Sequence, residues 1–119
     1  MKIEEILLSL SDEIYSIQLE LLDSLEKEME LEEQLNEINL DLADEVYNAV
    51  DENNKPLYSN DAKRKVAIEQ SKKNNKEYNK ILENYKFISK ENKILKLKLE
   101  KLLNLQSNYR AIARMYCSD

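Results

Sequence analysis

Glycine, histidine and tryptophan are missing from this 119-residue chain, and proline and cysteine occur once each. Without glycine there is no residue that takes left-handed turns at little cost or lets backbone N–H groups close around a phosphate, so glycine-rich nucleotide loops are excluded. Folds that need many tight turns, all-β and doubly wound α/β, are disfavoured on the same ground. The absence of histidine removes the commonest general base, and a single thiol, Cys117, removes the usual zinc clusters. Cys117 has no intrachain disulfide partner and reads as ordinary surface chemistry. The longest unbroken apolar run is three residues, as in Ile6-Leu7-Leu8, far short of the roughly 20 that span a bilayer. Glu4, Glu5, Asp12 and Glu13 do not fit a secretory signal. The expectation is a soluble, cytoplasmic protein without histidine-dependent or zinc-dependent catalysis.

What is present is Leu, Ile, Glu, Lys and Asn, with 35% of residues charged and 7% aromatic. That composition belongs to long helices. The net charge of −6 conceals a division. Residues 1–60 carry 17 acids against Lys2, Lys27 and Lys55, whereas residues 61–119 carry 15 Lys and Arg against seven acids. Both halves also carry apolar repeats, so each is expected to be a helix whose simplest partner is the other.

In the first half, Ile3, Leu7, Leu10, Ile14, Ile17 and Leu21 alternate steps of four and three, the spacing of a coiled-coil seam. The rhythm slips where Leu25 and Met29 follow in steps of four, then resumes through Leu35, Ile38, Leu42 and Val46, which predicts local unwinding of the supercoil or a wider contact. A cap at Ser9 or Ser11 offers a break, but a continuous helix is the favoured reading. In the second half, Tyr78, Tyr85, Asn92, Leu99, Gln106 and Ala113 hold one seam position (a), while Ile81, Ile88, Leu95, Leu102, Tyr109 and Tyr116 hold the other (d). Leu82, Leu103, Leu105 and Ile112 widen this stripe beyond what one partner covers. From Asp61 to Glu77 apolar residues are sparse, so that segment is expected to be loosely held.

Between the halves, Asn53, Asn54 and Pro56 reverse the chain, and Ser59 or Asn60 can cap the next helix. Residues 49–51 and 56–58 can pair as a tiny β-hairpin, or stay an irregular loop. The expected fold is therefore all-α, an antiparallel two-helix coiled-coil hairpin: an acidic helix over 1–48, a turn over 49–60 and a basic helix over 61–117. Folding about residue 55 sets position i near 110 − i, so that Glu13 faces Lys96 and Lys98, Glu20 faces Lys90, Glu37 faces Lys73 and Glu45 faces Lys65. Such pairs disfavour parallel and shifted registers. The breadth of the second stripe predicts a homodimer or higher oligomer with a helical-bundle core.

Four groups of residues are candidates for function. Asn92 and Gln106 interrupt the second seam, where polar residues set register and oligomeric state. The C-terminal tip carries Tyr109, Arg110, Arg114 and Tyr116, with the arginines spaced i, i+4 where the last turns overhang the first helix. Arg and Tyr are enriched in binding hot spots, so the tip is the expected site for a protein or phosphate-bearing partner, unless it packs on a symmetry mate. The acidic run holding Glu26, Glu30, Glu33 and Glu37 is either a solvated face or a mimic of a nucleic-acid backbone. The basic clusters Lys63-Arg64-Lys65 and Lys72, Lys73 and Lys76 offer direct nucleic-acid binding, which the acidic partner helix opposes. No constellation for catalysis, a cofactor or a metal is present in the sequence.

The order helix, reversal, helix resembles prefoldin subunits in outline only. The stretch EVYNAVDENNKPLYSNDAKRK, Glu45 to Lys65, followed by a lysine-rich arm, is similar to small helical proteins among the early genes of phages and prophages of low-GC Gram-positive bacteria. That resemblance implies a phage accessory protein in a bacterial host's cytoplasm, and it carries no catalytic residues over. The expected function is non-enzymatic binding of a host enzyme, defence or nucleoprotein complex, to inhibit or recruit it. The rivals are a chaperone-like or scaffold coiled coil, a nucleic-acid-binding accessory of phage replication or recombination, and a nucleotide-signal sponge dependent on Arg110.

Overall fold

A computed structural model describes residues 2–117, except for the side chain of Cys117; the expectation about that thiol lies outside the described residues. The protein is all-α, with α1 (Ile3–Asn48), α2 (Asp61–Asn74) and α3 (Lys76–Cys117). No strand occurs among the described residues. α1 runs through Ser11 without a break for 46 residues, its first turn carrying Glu4 and Glu5 where the helix dipole favours anions. Two compact units divide the chain: one joins α1 up to Lys27 with α3 from Ile88 onward, and the other comprises Glu28–Phe87.

In the first unit, the Asn92 side-chain amide donates to the Ser24 carbonyl at 3.5 Å and the Gln106 amide donates to Ser11 Oγ at 3.3 Å. One partner's number rises as the other's falls, so the segments run antiparallel. The paired numbers add to 116 and 117 rather than 110. Cover therefore reaches six residues further along α3 than folding about residue 55 predicts. Leu10 and Ile14 are buried here, and each contributes about 1.5–3 kcal/mol.

The first seam is also more regular than expected. Ser24 and Glu28 are partly covered, which continues the three-four spacing from Leu21 to Leu31 without a slip. Leu25 and Met29 lie outside it, exposed. Apolar identity misplaced the seam because two of its positions are polar. On α3, every a and d residue from Tyr78 to Ala113 is buried or half-buried, as the heptad spacing predicts.

The second unit holds the chain reversal. Asp51 Oδ1 accepts from the backbone N–H groups of Asn53 (2.8 Å) and Lys55 (3.0 Å), while Asp51 N–H donates to the Lys55 carbonyl at 2.8 Å. Asn54 takes φ 64, the left-handed conformation that glycine would otherwise supply. The tiny hairpin reduces to a single antiparallel bridge, Val50 with Pro56, supported by Leu57 N–H donating to the Ala49 carbonyl at 2.9 Å. Proline has no N–H, so the ladder stops there. Asn60 then caps α2, its Oδ1 accepting from Lys63 N–H at 2.9 Å. Leu35, Leu42, Val46 and Ala67 form this unit's core.

The basic arm is not one helix over 61–117. Asn75 leaves helical geometry at φ −88, ψ 110 and separates α2 from α3. Its side chain caps α3 by accepting from Tyr78 N–H at 2.8 Å. The Asn79 amide donates back to the carbonyls of Lys72 (3.3 Å), Lys73 (2.9 Å) and Asn75 (2.9 Å), which supplies the Lys73 carbonyl at the end of α2 with a donor and reinforces the other two. Two asparagines thus make a joint without glycine.

Charge contributes less locally than the sequence implies. Among the described residues, Glu13, Glu20, Glu37 and Glu45 make no ion pair with the lysines expected opposite them. Lys27–Asp23 (3.2 Å), Arg64–Asp61 (3.1 Å) and Lys72–Glu69 (3.2 Å) instead pair within single helices. The displaced register separates the expected partners in the first unit, and exposed pairs offer under about 1 kcal/mol against hydration. Asn75→Ala is expected to lower unfolding stability by about 1 kcal/mol through loss of the cap, with Asn75→Asp retaining most of it; urea denaturation at fixed protein concentration measures both.

Candidate functional site: the polar seam and the C-terminal tip

Asn92 is the most buried polar residue described, 2% exposed at an a position between two helices. A buried amide must be hydrogen-bonded, and its bond to the Ser24 carbonyl ties α3 to one turn of α1. Gln106, two heptads on, is half-buried and reaches Ser11. The two residues that interrupt the apolar spacing are thus the ones that make hydrogen bonds across the first unit. Ser11 accepts through its hydroxyl and Ser24 through its backbone carbonyl, so of the two only Ser11, which the sequence offered as a cap, is a partner that residue identity could signal.

The four tip residues do not share one face. Tyr109 is half-buried on the seam, because cover by α1 extends to Ala113. Arg110 and Arg114 are exposed together on one flank, one turn apart. Tyr116 holds a seam position but is 77% exposed, since the register carries it past the start of α1. Beside it, Met115 is 75% exposed. The overhang therefore begins at Arg114, later than expected, and combines a guanidinium, a thioether and a phenol.

Glu26, Glu30, Glu33 and Glu37 are all exposed, and their steps of four, three and four set them on one side of α1. The lysine-rich segment of α2 is more committed. Arg64 pairs with Asp61 and lies over the Tyr47 ring at 4.7 Å from its centroid. Lys72 pairs with Glu69 and lies 5.8 Å from the centre of the Tyr78 ring, and Lys63 Nζ donates to Ser59 Oγ at 3.5 Å. These contacts hold three of the cations against their own unit.

An open groove of about 500 Å³ lies in the first unit, with Ile17, Leu102 and Leu105 on its floor and Glu13, Lys98 and Lys101 along its rim. Arg110 does not line it. No group of three or more His, Cys, Asp or Glu side chains placed to hold a metal ion occurs among the described residues. No described helix is long and apolar enough to cross a membrane.

No family model, no curated protein and no solved structure matches this chain. Function has to be read from the surfaces themselves.

Replacing Asn92 by Leu is expected to raise the melting temperature, because an apolar side chain fills the seam without a desolvated amide, while admitting additional association states. Calorimetry together with light scattering after size-exclusion chromatography reads both effects. A lower melting temperature with one unchanged species would show that Asn92 stabilises the seam and does not select it.

Proposed function

We propose that the protein is a non-enzymatic, antiparallel helical hairpin that self-associates through its helical faces and acts by binding another protein at its C-terminal tip. The observation that carries this reading is the exposure of Met115 and Tyr116 at 75% and 77%, directly beside exposed Arg114. Large apolar side chains concentrated at one helix end, next to a fork-shaped cation, have the composition of a binding hot spot. Arg110, one turn earlier on the flank, gives the tip a second guanidinium for a carboxylate or phosphate group on the partner.

A protein partner is preferred over nucleic acid because Lys63, Arg64 and Lys72 are engaged with their own unit. A nucleotide-sponge role gains no support from the groove, which Arg110 does not line. The resemblance of Glu45–Lys65 to phage and prophage helical proteins directs the search for the partner to a bacterial enzyme, defence or nucleoprotein complex that a phage recruits or blocks. On this reading the acidic strip Glu26, Glu30, Glu33 and Glu37 keeps the arm soluble and repels nucleic acid.

Affinity capture from a bacterial lysate with the full chain, beside the Arg110→Ala/Arg114→Ala/Tyr116→Ala variant, tests the assignment. A partner that binds the variant at least about tenfold more weakly at physiological salt supports it. Equal retention by the variant overturns the tip as the site. Tight nucleic-acid binding abolished by Lys72→Gln/Lys73→Gln/Lys76→Gln overturns the protein-partner reading.

A further inference from the structure

α1 carries a second apolar stripe that the first unit leaves uncovered. Leu8, Tyr15 and Leu22 recur at seven-residue intervals, with Leu19 and Leu25 between and beyond them, and all five are exposed, Leu8 at 69% and Tyr15 at 62%. The steps from Leu8 to Tyr15, Leu19 and Leu22 follow the same three-four rhythm as the buried seam, rotated about a third of a turn around the helix. A single apolar stripe is enough to hold α1 to α3; a second with the same spacing serves another helix.

Charge is depleted on this face and nowhere else along it. Leu8, Ser11, Asp12, Tyr15, Gln18, Leu19, Leu22 and Leu25 include one carboxylate, whereas the continuation of the face from Glu26 to Leu40 carries Glu26, Glu32 and Glu33. Loss of charged residues marks the centre of an interface. The stripe also has a defined length, about 26 Å at 1.5 Å per residue.

The areas fit a dimer. The five side chains together offer on the order of 500 Å² of apolar surface, the upper range of what monomers leave in one patch. With Asp12 within the stripe and Ser11 and Gln18 beside it, the face approaches the roughly 800 Å² per partner of a standard interface.

We infer that this stripe is where a second copy of the chain docks, α1 against α1 and antiparallel, so that two such units form a four-helix core. This rests on the reading that the protein self-associates and adds the surface through which it does so. The direction follows from Asp12, which lies within the stripe: in-register parallel pairing sets it opposite its own copy. Antiparallel pairing sets it beside the Leu21–Leu22 turn instead, and brings Leu8 to Leu25 and Tyr15 to Leu19 of the second copy.

Sedimentation of the full chain over a concentration series tests the inference. The expected species has twice 14.1 kDa, and Tyr15→Glu/Leu22→Glu weakens association at least about 100-fold while helical circular dichroism is retained, since both side chains already face water. The exposed α3 residues provide the control, Phe87→Glu/Leu97→Glu leaving association unchanged. A chain monomeric at every concentration overturns self-association altogether. A dimer insensitive to Tyr15→Glu/Leu22→Glu, or broken by the control, overturns only this surface. In a Cys117→Ser background, mixed Leu8→Cys and Leu25→Cys chains are expected to crosslink to each other and not to themselves; self-crosslinking of Leu8→Cys overturns the antiparallel arrangement.

Discussion

A seam of this kind repeats every seven residues, and a purely apolar seam is satisfied almost equally well after sliding by one repeat. The buried amide of Asn92 works against that degeneracy, as a polar residue at a single a position does. It donates to the backbone carbonyl of Ser24, a group every residue of α1 has, so what distinguishes this register is the small polar Ser24 side chain at a level where a slide of one heptad would bring Ile17 or Leu31. Half-buried Gln106 adds a side-chain bond to the exposed Ser11 hydroxyl two heptads away. The positions of the tip, the groove and the exposed α1 stripe all follow from that alignment, because each depends on which residues of α3 stand beside which residues of α1.

Much of the fold was legible. The absence of glycine and the heptads of both halves pointed to helices with covered a and d faces, and the cover on α3 falls where the spacing places it. Asn54 and Asn60 took the turn and cap roles open to them. What failed was anything that depended on counting residues across the reversal. A fold about residue 55 assumes two arms of equal rise per residue, yet Tyr47 and Arg64 have numbers that add to 111, and Ser24 and Asn92 to 116. The extra residues fall in a stretch that includes the Asn75 joint, whose signal was only an asparagine pair followed by Glu77, within a polar run that read as weak helix.

The candidate site was legible as composition but not as geometry. Tyr109, Arg110, Arg114 and Tyr116 looked like one cluster because they are close in sequence, whereas helical rotation divides them between the seam and a flank. The charge division between the arms suggested a ladder of ion pairs, but water competes well for exposed carboxylates and ammonium groups, and local i, i+3 and i, i+4 partners are nearer at hand. The opposed charges are then a diffuse bias on which helix lies beside which. The exposed stripe on α1 was hidden for another reason: once one seam had been assigned, the remaining leucines looked like noise about it.

The joint at Asn75 also sets the length of what precedes it. α2 has 14 residues, at the margin where a helix persists in water without tertiary support, and Ala67 is its one buried residue. Its further support includes half-buried Ile68, the Arg64 guanidinium over Tyr47, Lys72 beside Tyr78 and the caps at Asn60 and Asn75. Local opening of the chain is cheapest where few apolar contacts must be given up. Local opening of α2 is thus expected to cost least, and because it carries Lys63, Arg64, Lys65, Lys72 and Lys73, such opening would present five sites to a trypsin-like protease.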